Sequence, residues 1–167
     1  MARVFRGEGH HKVDGKGRVS IPALFRRVLE ASDPDWTEGL NPNIVIFYGP
    51  KSQQFLECYT MEAVEDVDAR IKRMPRGSNG RRQLEKMFHG HSFPTSVDET
   101  GRLVLPAKLR QQAGIGAEAY FIATGDTFQI WNPATHEEVE AKKVDEWFDA
   151  QGEDFDMFSL LPGDEAV

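Results

Sequence analysis

A segment near the N-terminus occurs again in the second half of the chain, and this repeat limits the possible folds more than any other feature. VDGKGRVSIPALFR (Val13 to Arg26) lies over VDETGRLVLPAKLR (Val97 to Arg110) without a gap, at a constant offset of 84 residues. Seven of the fourteen positions are identical, and three more exchange one large apolar residue for another. A fixed-period self-match identifies a duplicated supersecondary unit, so the 167-residue chain is read as two copies of one small module.

Each copy has the same local physics. Asp-x-x-Gly-Arg is turn chemistry: the Asp carboxylate bonds to nearby backbone, and the Gly tolerates positive φ. VSI or LVL follows as a short strand, and Pro22 or Pro106 then suits the first turn of a helix. LFRRVLE and AKLRQQA continue as short amphipathic helices, the second closed by Gly114. NIVIFYG and AYFIATG read as strands ending in glycine turns, and FLECY and FQIW as return strands. Thr60 is positioned to cap a helix with apolar Val64, Val67, Ile71 and Met74, which Pro75 stops. A short helix is expected around Leu84 to Phe88. Asn132-Pro133 and a Thr135–Glu138 capping box predict a last helix through about Phe148. The closing stretch QGEDFDMFSLLPGDEAV is acidic, punctuated by Gly and Pro, and expected to be loosely ordered.

Charge is distributed unevenly. The net charge is −7, yet residues 1–27 carry +5 and residues 70–86 carry +6, while residues 137–165 carry −9. Binding depends on the local field, so the acidic total does not exclude nucleic acid. Arg3, Arg6, Lys12, Lys16, Arg18, Arg26 and Arg27 form the first basic cluster. Lysine and arginine neutralise phosphates, and arginine also pairs bidentately with guanine O6 and N7. Asp14 is read as a loop brace, because a carboxylate repels phosphate. The acidic tail is expected to reduce non-specific DNA binding, and basic and acidic segments of different copies are expected to meet.

Other chemistries find little support. No apolar run reaches the ~20 residues of a membrane helix, and no secretory h-region is visible. The single Cys58, inside FLECY, reads as a buried small hydrophobe. His10-His11 and His89/His91 lack neighbouring cysteines or carboxylates at ligand spacing, so no metal or other cofactor is expected. HHKVDGKG fails the phosphate-loop pattern, since Gly17 stands where Ser or Thr is required. No nucleophile–base set is evident, so an enzyme is not expected. Phe55, Phe121, Phe128, Trp131, Trp147 and Phe148 read as core or subunit interface.

The doubled Asp-x-x-Gly-Arg motif, with its following aliphatics, Pro-Ala and Arg, resembles the SpoVT/AbrB family of swapped-hairpin DNA-binding domains. With FRGEGHHKVDGKGRVSIPALFR at the front, the resemblance covers roughly residues 5–150 and is closest to the family's two-unit bacterial transcriptional regulators. It implies an α+β fold of two tandem β-rich units, a double swapped-hairpin-type barrel with pseudo-twofold packing and short flanking helices. The implied domains are residues 8–55 and 91–134, with a helical connection at 56–90 and a C-terminal helix and acidic tail at 135–167. It also implies a cytoplasmic, nucleoid-associated repressor of its own cell-division and cell-wall operon. Such a protein binds short direct repeats in double-stranded DNA as a homo-oligomeric ring. By match, Lys16 and Arg18 in copy one and Arg102 in copy two are the strongest DNA contacts, with Arg26 and Arg27 as a following basic pair. Asp14, Gly17, Asp98 and Gly101 shape the loops. Copy two departs from the pattern: Thr100 replaces Lys16, Gln111 replaces Arg27, and Glu99 adds a negative charge. An antitoxin-like or partner-binding scaffold of the same fold is the alternative.

Overall fold

A computed structural model describes residues 3–163. They divide into two compact units, one up to Pro133 and one from Ala134 onward. The first unit is mixed α+β, and all its strand pairings are antiparallel.

Both copies lay down the same series of elements. Copy one runs β1 (Glu8–Lys12), β2 (Arg18–Ser20), α1 (Ala23–Ala31), β3 (Asn43–Phe47), β4 (Phe55–Tyr59) and α2 (Met61–Lys72). A connecting α3 (Asn79–Leu84) passes into a π-helical turn over Glu85–His89. Copy two runs β5 (Ser92–Ser96), β6 (Arg102–Val104), α4 (Ala107–Ala113), β7 (Glu118–Ala123) and β8 (Thr127–Trp131).

The copies do not fold side by side. The main sheet has the order β1-β7-β8-β4-β3-β5. Each half's first strand therefore pairs in the other half, β1 with β7 and β5 with β3. The order reads the same from either edge once each strand is exchanged for its counterpart. The buried aromatics show the consequence. Phe5 and Phe25 from copy one meet Phe128 from copy two at centroid distances of 5.0 and 4.9 Å, and Phe121 stacks on Phe128 at 5.7 Å. All four are almost fully buried. One core serves both copies, and truncating Phe25 to Ala would cost about 3–5 kcal/mol. β3 contributes Ile44, Val45 and Ile46, all buried, as expected for a strand covered on both faces.

Helix boundaries follow local chemistry. The Thr60 hydroxyl accepts from the Ala63 N–H at 3.0 Å, while Glu62 in the first turn and Arg70 and Lys72 in the last suit the helix dipole. α2 ends at Lys72, two residues short of Met74. Pro22 and Pro106 occupy the position before each helix, with ψ of 141° and 150°, so they stop the strand and direct the chain into the helix. Gly114 closes α4 in the left-handed region at φ +66°. The expected Thr135 capping box does not form: helical backbone already begins with α5 (Pro133–Thr135), and Thr135 lies inside it at φ −63°, ψ −42°. Proline at the first helical position outcompetes a later cap because it fixes φ and lacks the N–H.

In the second unit a π-helical turn at His136–Glu140 leads into α6 (Ala141–Gln151). Trp147 and Phe148 do not enter a core here. They are 45% and 40% exposed and touch Phe155, at 5.9 and 6.4 Å. The tail is more ordered than its composition suggests, with a 3₁₀ turn at Met157–Leu160 capped by the Asp156 carboxylate, which accepts from Phe158 N–H at 3.0 Å. The last four residues of the tail lie outside the described residues. Among the described residues no helix is long and apolar enough to cross a membrane.

Candidate nucleic-acid interface

The two repeated motifs converge on a small second sheet. β2 pairs antiparallel with β6, Arg18 opposite Val104, Val19 opposite Leu103 and Ser20 opposite Arg102. Alternation along a strand sends Val19 and Leu103 into the core, where they are 1% and 0% exposed. The opposite face carries Arg18, Ser20, Arg102 and Val104. Arg18 and Arg102 are diagonal neighbours on it, about 7–8 Å apart. Neighbouring backbone ties reinforce the ribbon: Leu105 N–H donates to Gly17 carbonyl at 2.8 Å, and Ile21 N–H to Gly101 carbonyl at 3.0 Å. The two glycine turns thus flank the ribbon at opposite ends.

Each turn is built on its aspartate. Gly17 N–H donates to the Asp14 carbonyl at 2.9 Å, and the N–H groups of Lys16 and Arg18 both donate to Asp14 Oδ1 at 2.9 Å. Arg18 Nε completes the set on Asp14 Oδ2 at 2.6 Å. These bonds lower the Asp14 carboxyl to about 2, chiefly through the Arg18 N–H and then its side chain. The second turn repeats the backbone pattern around Asp98, whose carboxyl is also lowered, mainly by the Arg102 N–H. Because the Arg18 bond uses Nε, the terminal nitrogens of the guanidinium remain for an incoming acceptor. The pair is exposed, with 38% and 41% of the two side chains in solvent, so exchanging the carboxylate for a phosphate or a base edge costs little.

The turns need their glycines to different degrees. Gly17 has φ +82°, and a Cβ there would lie 2.2 Å from the Leu105 carbonyl oxygen. Gly101 has φ +80° with open space around the same position. Both require left-handed backbone, and only the first is also crowded.

The remaining basic residues are dispersed. Lys16 projects from the tip of the first turn, exposed, and Lys12 is exposed at the end of β1 that leads into it. Arg27 is exposed on α1. Arg26 is tied down: its Nη1 donates to the Asp98 carbonyl and its Nε to Glu30 at 3.2 Å, so it anchors the opposite copy's turn. Arg110, at the equivalent position, holds the Leu105 carbonyl at 2.9 Å and packs against Gly17. Arg3 and Arg6 are not brought to the ribbon. The chain from Phe5 to Val13 runs extended beside β7, separating its ends by roughly 25 Å, and Arg3 pairs with Glu62. Ser20 and Val104 are members of the exposed face that sequence reasoning passed over, although the alternation in RVS and RLV places them there.

The histidines are engaged in packing and hydrogen bonding. His10 lies against Tyr120 at 5.2 Å and His11 against Phe121 at 4.9 Å; burial lowers the His11 pKa and favours its neutral form. His89 Nε2 is 2.8 Å from Asp68, and His91 stacks on Tyr48. Cys58 is fully buried, which raises its thiol pKa.

Residues 87–158 match the family model described as "MraZ protein, putative antitoxin-like". The transcriptional regulator MraZ of Ruegeria pomeroyi is 64% identical over 163 residues, covering 98% of both chains. The protein of the same name from Ruegeria sp. strain TM1040 is 63% identical with the same coverage. That of Desulfosudis oleivorans is 32% identical across 91% of this chain and 94% of its own. Similarity at this level over nearly the whole length shows that this chain belongs to the MraZ family.

Proposed function

We propose that this chain is a sequence-specific transcriptional regulator that binds duplex DNA through the β2–β6 ribbon. The observation that carries the reading is the ribbon's outer face, where Arg18 and Arg102 stand diagonally beside Ser20 and Val104. A two-stranded ribbon fits the major groove of B-DNA, arginine reads guanine bidentately, and an exposed aliphatic such as Val104 suits a thymine methyl. Lys16 and Lys12, on the approach to the first turn, and Arg27 on α1 contact phosphates and position the ribbon. Arg26 acts through the Asp98 turn, and Arg3 and Arg6 add long-range field. The relatives' names support the regulatory role.

The finer architecture under this reading is two tandem SpoVT/AbrB-like domains, residues 8–55 and 91–134, joined as a double swapped-hairpin barrel. The exchange of β1 and β5 between halves supports it. One ribbon makes few base contacts, so tight specific binding requires several chains on tandem promoter repeats, raising effective concentration. A homo-oligomeric ring repressing the chain's own cell-division and cell-wall operon, in the cytoplasm and on the nucleoid, completes the proposal. The test is fluorescence anisotropy with a duplex carrying the chain's own upstream repeats. Wild type should bind specifically with a steep salt dependence. Arg18→Ala should weaken binding at least tenfold while circular dichroism stays native, and unchanged affinity would reject the ribbon as the reading surface.

A further inference from the structure

Away from the ribbon, the first unit has an open cleft of about 400 Å³ lined by Val67, Arg70, Ile71, Met74 and Leu84, from α2, the residues after it and α3. Its lining is apolar apart from Arg70. Arg81 fixes the neighbouring backbone, donating to the Met74 carbonyl at 2.9 Å and to that of Lys72 at 3.4 Å. The surrounding segment, residues 70–86, carries +6. A cleft with an apolar lining, Arg70 at its wall and a basic flanking segment is matched to an apolar ligand flanked by carboxylates.

The second unit contains such a ligand. Its capped 3₁₀ turn holds Met157, Phe158, Leu160 and Leu161 in solvent at 51%, 64%, 60% and 65% exposure. Glu153, Asp154 and Asp156 immediately precede or cap it. Four exposed large apolar residues within five positions are costly to leave in water, and this turn is held ready by Asp156 rather than unfolded.

We propose that the α2–α3 cleft of one copy receives the acidic-flanked Met157–Leu161 turn of a second copy. The proposal deepens the assembly part of the function above and rests on it. The cleft belongs to the first unit and the turn to the second, so the contact between copies is heterologous, and a rotation between successive copies that closes makes it a ring. A five-residue turn buries less than a standard stable interface, so one link is weak. Closure makes the links support one another through effective concentration. Opposite charge at the rim orients the approach and makes linkage salt-sensitive.

Two full-length single variants, Leu84→Cys and Phe158→Cys, test this when mixed and oxidised without DNA; the native Cys58 is buried and stays silent. A covalent heterodimer should form at least tenfold faster than with a control pair of Leu84→Cys and Leu40→Cys, and should slow as salt is raised. No excess over the control overturns the proposal. So does a Leu84→Cys/Phe158→Cys double variant that forms only the intrachain disulfide, or stoichiometric occupation of the cleft by a different protein. Phe158→Asp provides an independent measurement: sedimentation should show a smaller oligomer with native circular dichroism, and an unchanged mass counts against the contact. Anisotropy of Phe158→Asp on a single-repeat duplex should remain near wild type. Loss of ribbon binding with intact cross-linking would instead fault the DNA reading alone.

Discussion

In the first turn Arg18 Nε donates straight to Asp14 at 2.6 Å; in the second, Thr100 stands between the corresponding pair. Arg102 Nε donates to the Thr100 hydroxyl at 3.0 Å, that hydroxyl donates to Asp98 Oδ1 at 2.8 Å, and Arg102 stays 3.4 Å from the Asp98 carboxylate. The backbones match, so the difference comes from one side chain. Where copy one has Lys16 reaching outward as a cation, copy two spends the same position on an internal bridge and adds Glu99 beside it. Duplication has kept the scaffold of two turns while giving them unequal charge. An antiparallel ribbon of two identical turns would present a symmetric face. Unequal turns give the face a direction.

The largest effect should come from the glycines. Gly17→Ala must accept both positive φ and a carbonyl at 2.2 Å, and should destabilise by roughly 3 kcal/mol, combining left-handed strain with overpacking. Gly101→Ala, with open space, should lose only about 1 kcal/mol. Urea unfolding of the two variants checks this, and equal losses would show that the turns are mechanically equivalent.

Next in size is the arginine pair. Arg18→Ala should lose about 2 kcal/mol of specific binding, and Arg102→Ala less, because its neighbours are Glu99 and Thr100 rather than Lys16. Titration of each against specific and scrambled duplexes distinguishes base reading from phosphate attraction. A uniform loss on both duplexes would reassign the arginines to the backbone.

Lys16 sharpens the comparison at smaller cost. Lys16→Ala should reduce the slope of log affinity against log salt by about 0.9, and Thr100→Lys should raise it by about as much. If only the first change acts, the second turn lies off the DNA.

The smallest effect concerns acid. Both folded carboxyls are lowered, so their contribution to turn stability is present above the ordinary aspartate range near 4 and is lost as pH falls through the folded values. For Asp14 that window runs from about 4 down to about 2. An NMR titration should place the Asp14 midpoint near 2, and an ordinary midpoint would mean that the carboxylate bonds are not held in solution.

Much of the local structure was legible. The Asp-x-x-Gly-Arg turns, the Thr60 cap and the Gly114 stop each depend on chemistry within a few residues. So did the burial of Cys58, Phe121 and Phe128, carried by apolar strand patterns. The capping box at Thr135 failed because Pro133 starts the helix two residues earlier. Arg26 looked like half of a basic pair, yet its bond to the Asp98 carbonyl spans 72 positions and leaves no trace in the local pattern. Arg3 and Arg6 stand near Lys16 in the sequence, and the extended run beside β7 separates them from it in space.

By itself the sequence determined the duplication, the turn chemistry and the sign of charge along the chain, because these depend on residue type and short spacing. The tertiary structure decided which copy each strand serves. Hydrogen bonding along a strand edge is satisfied equally well by either partner, and only the shared burial of both halves around Phe25 and Phe128 selects the exchanged pairing. That selection also sets the two arginines on one exposed ribbon.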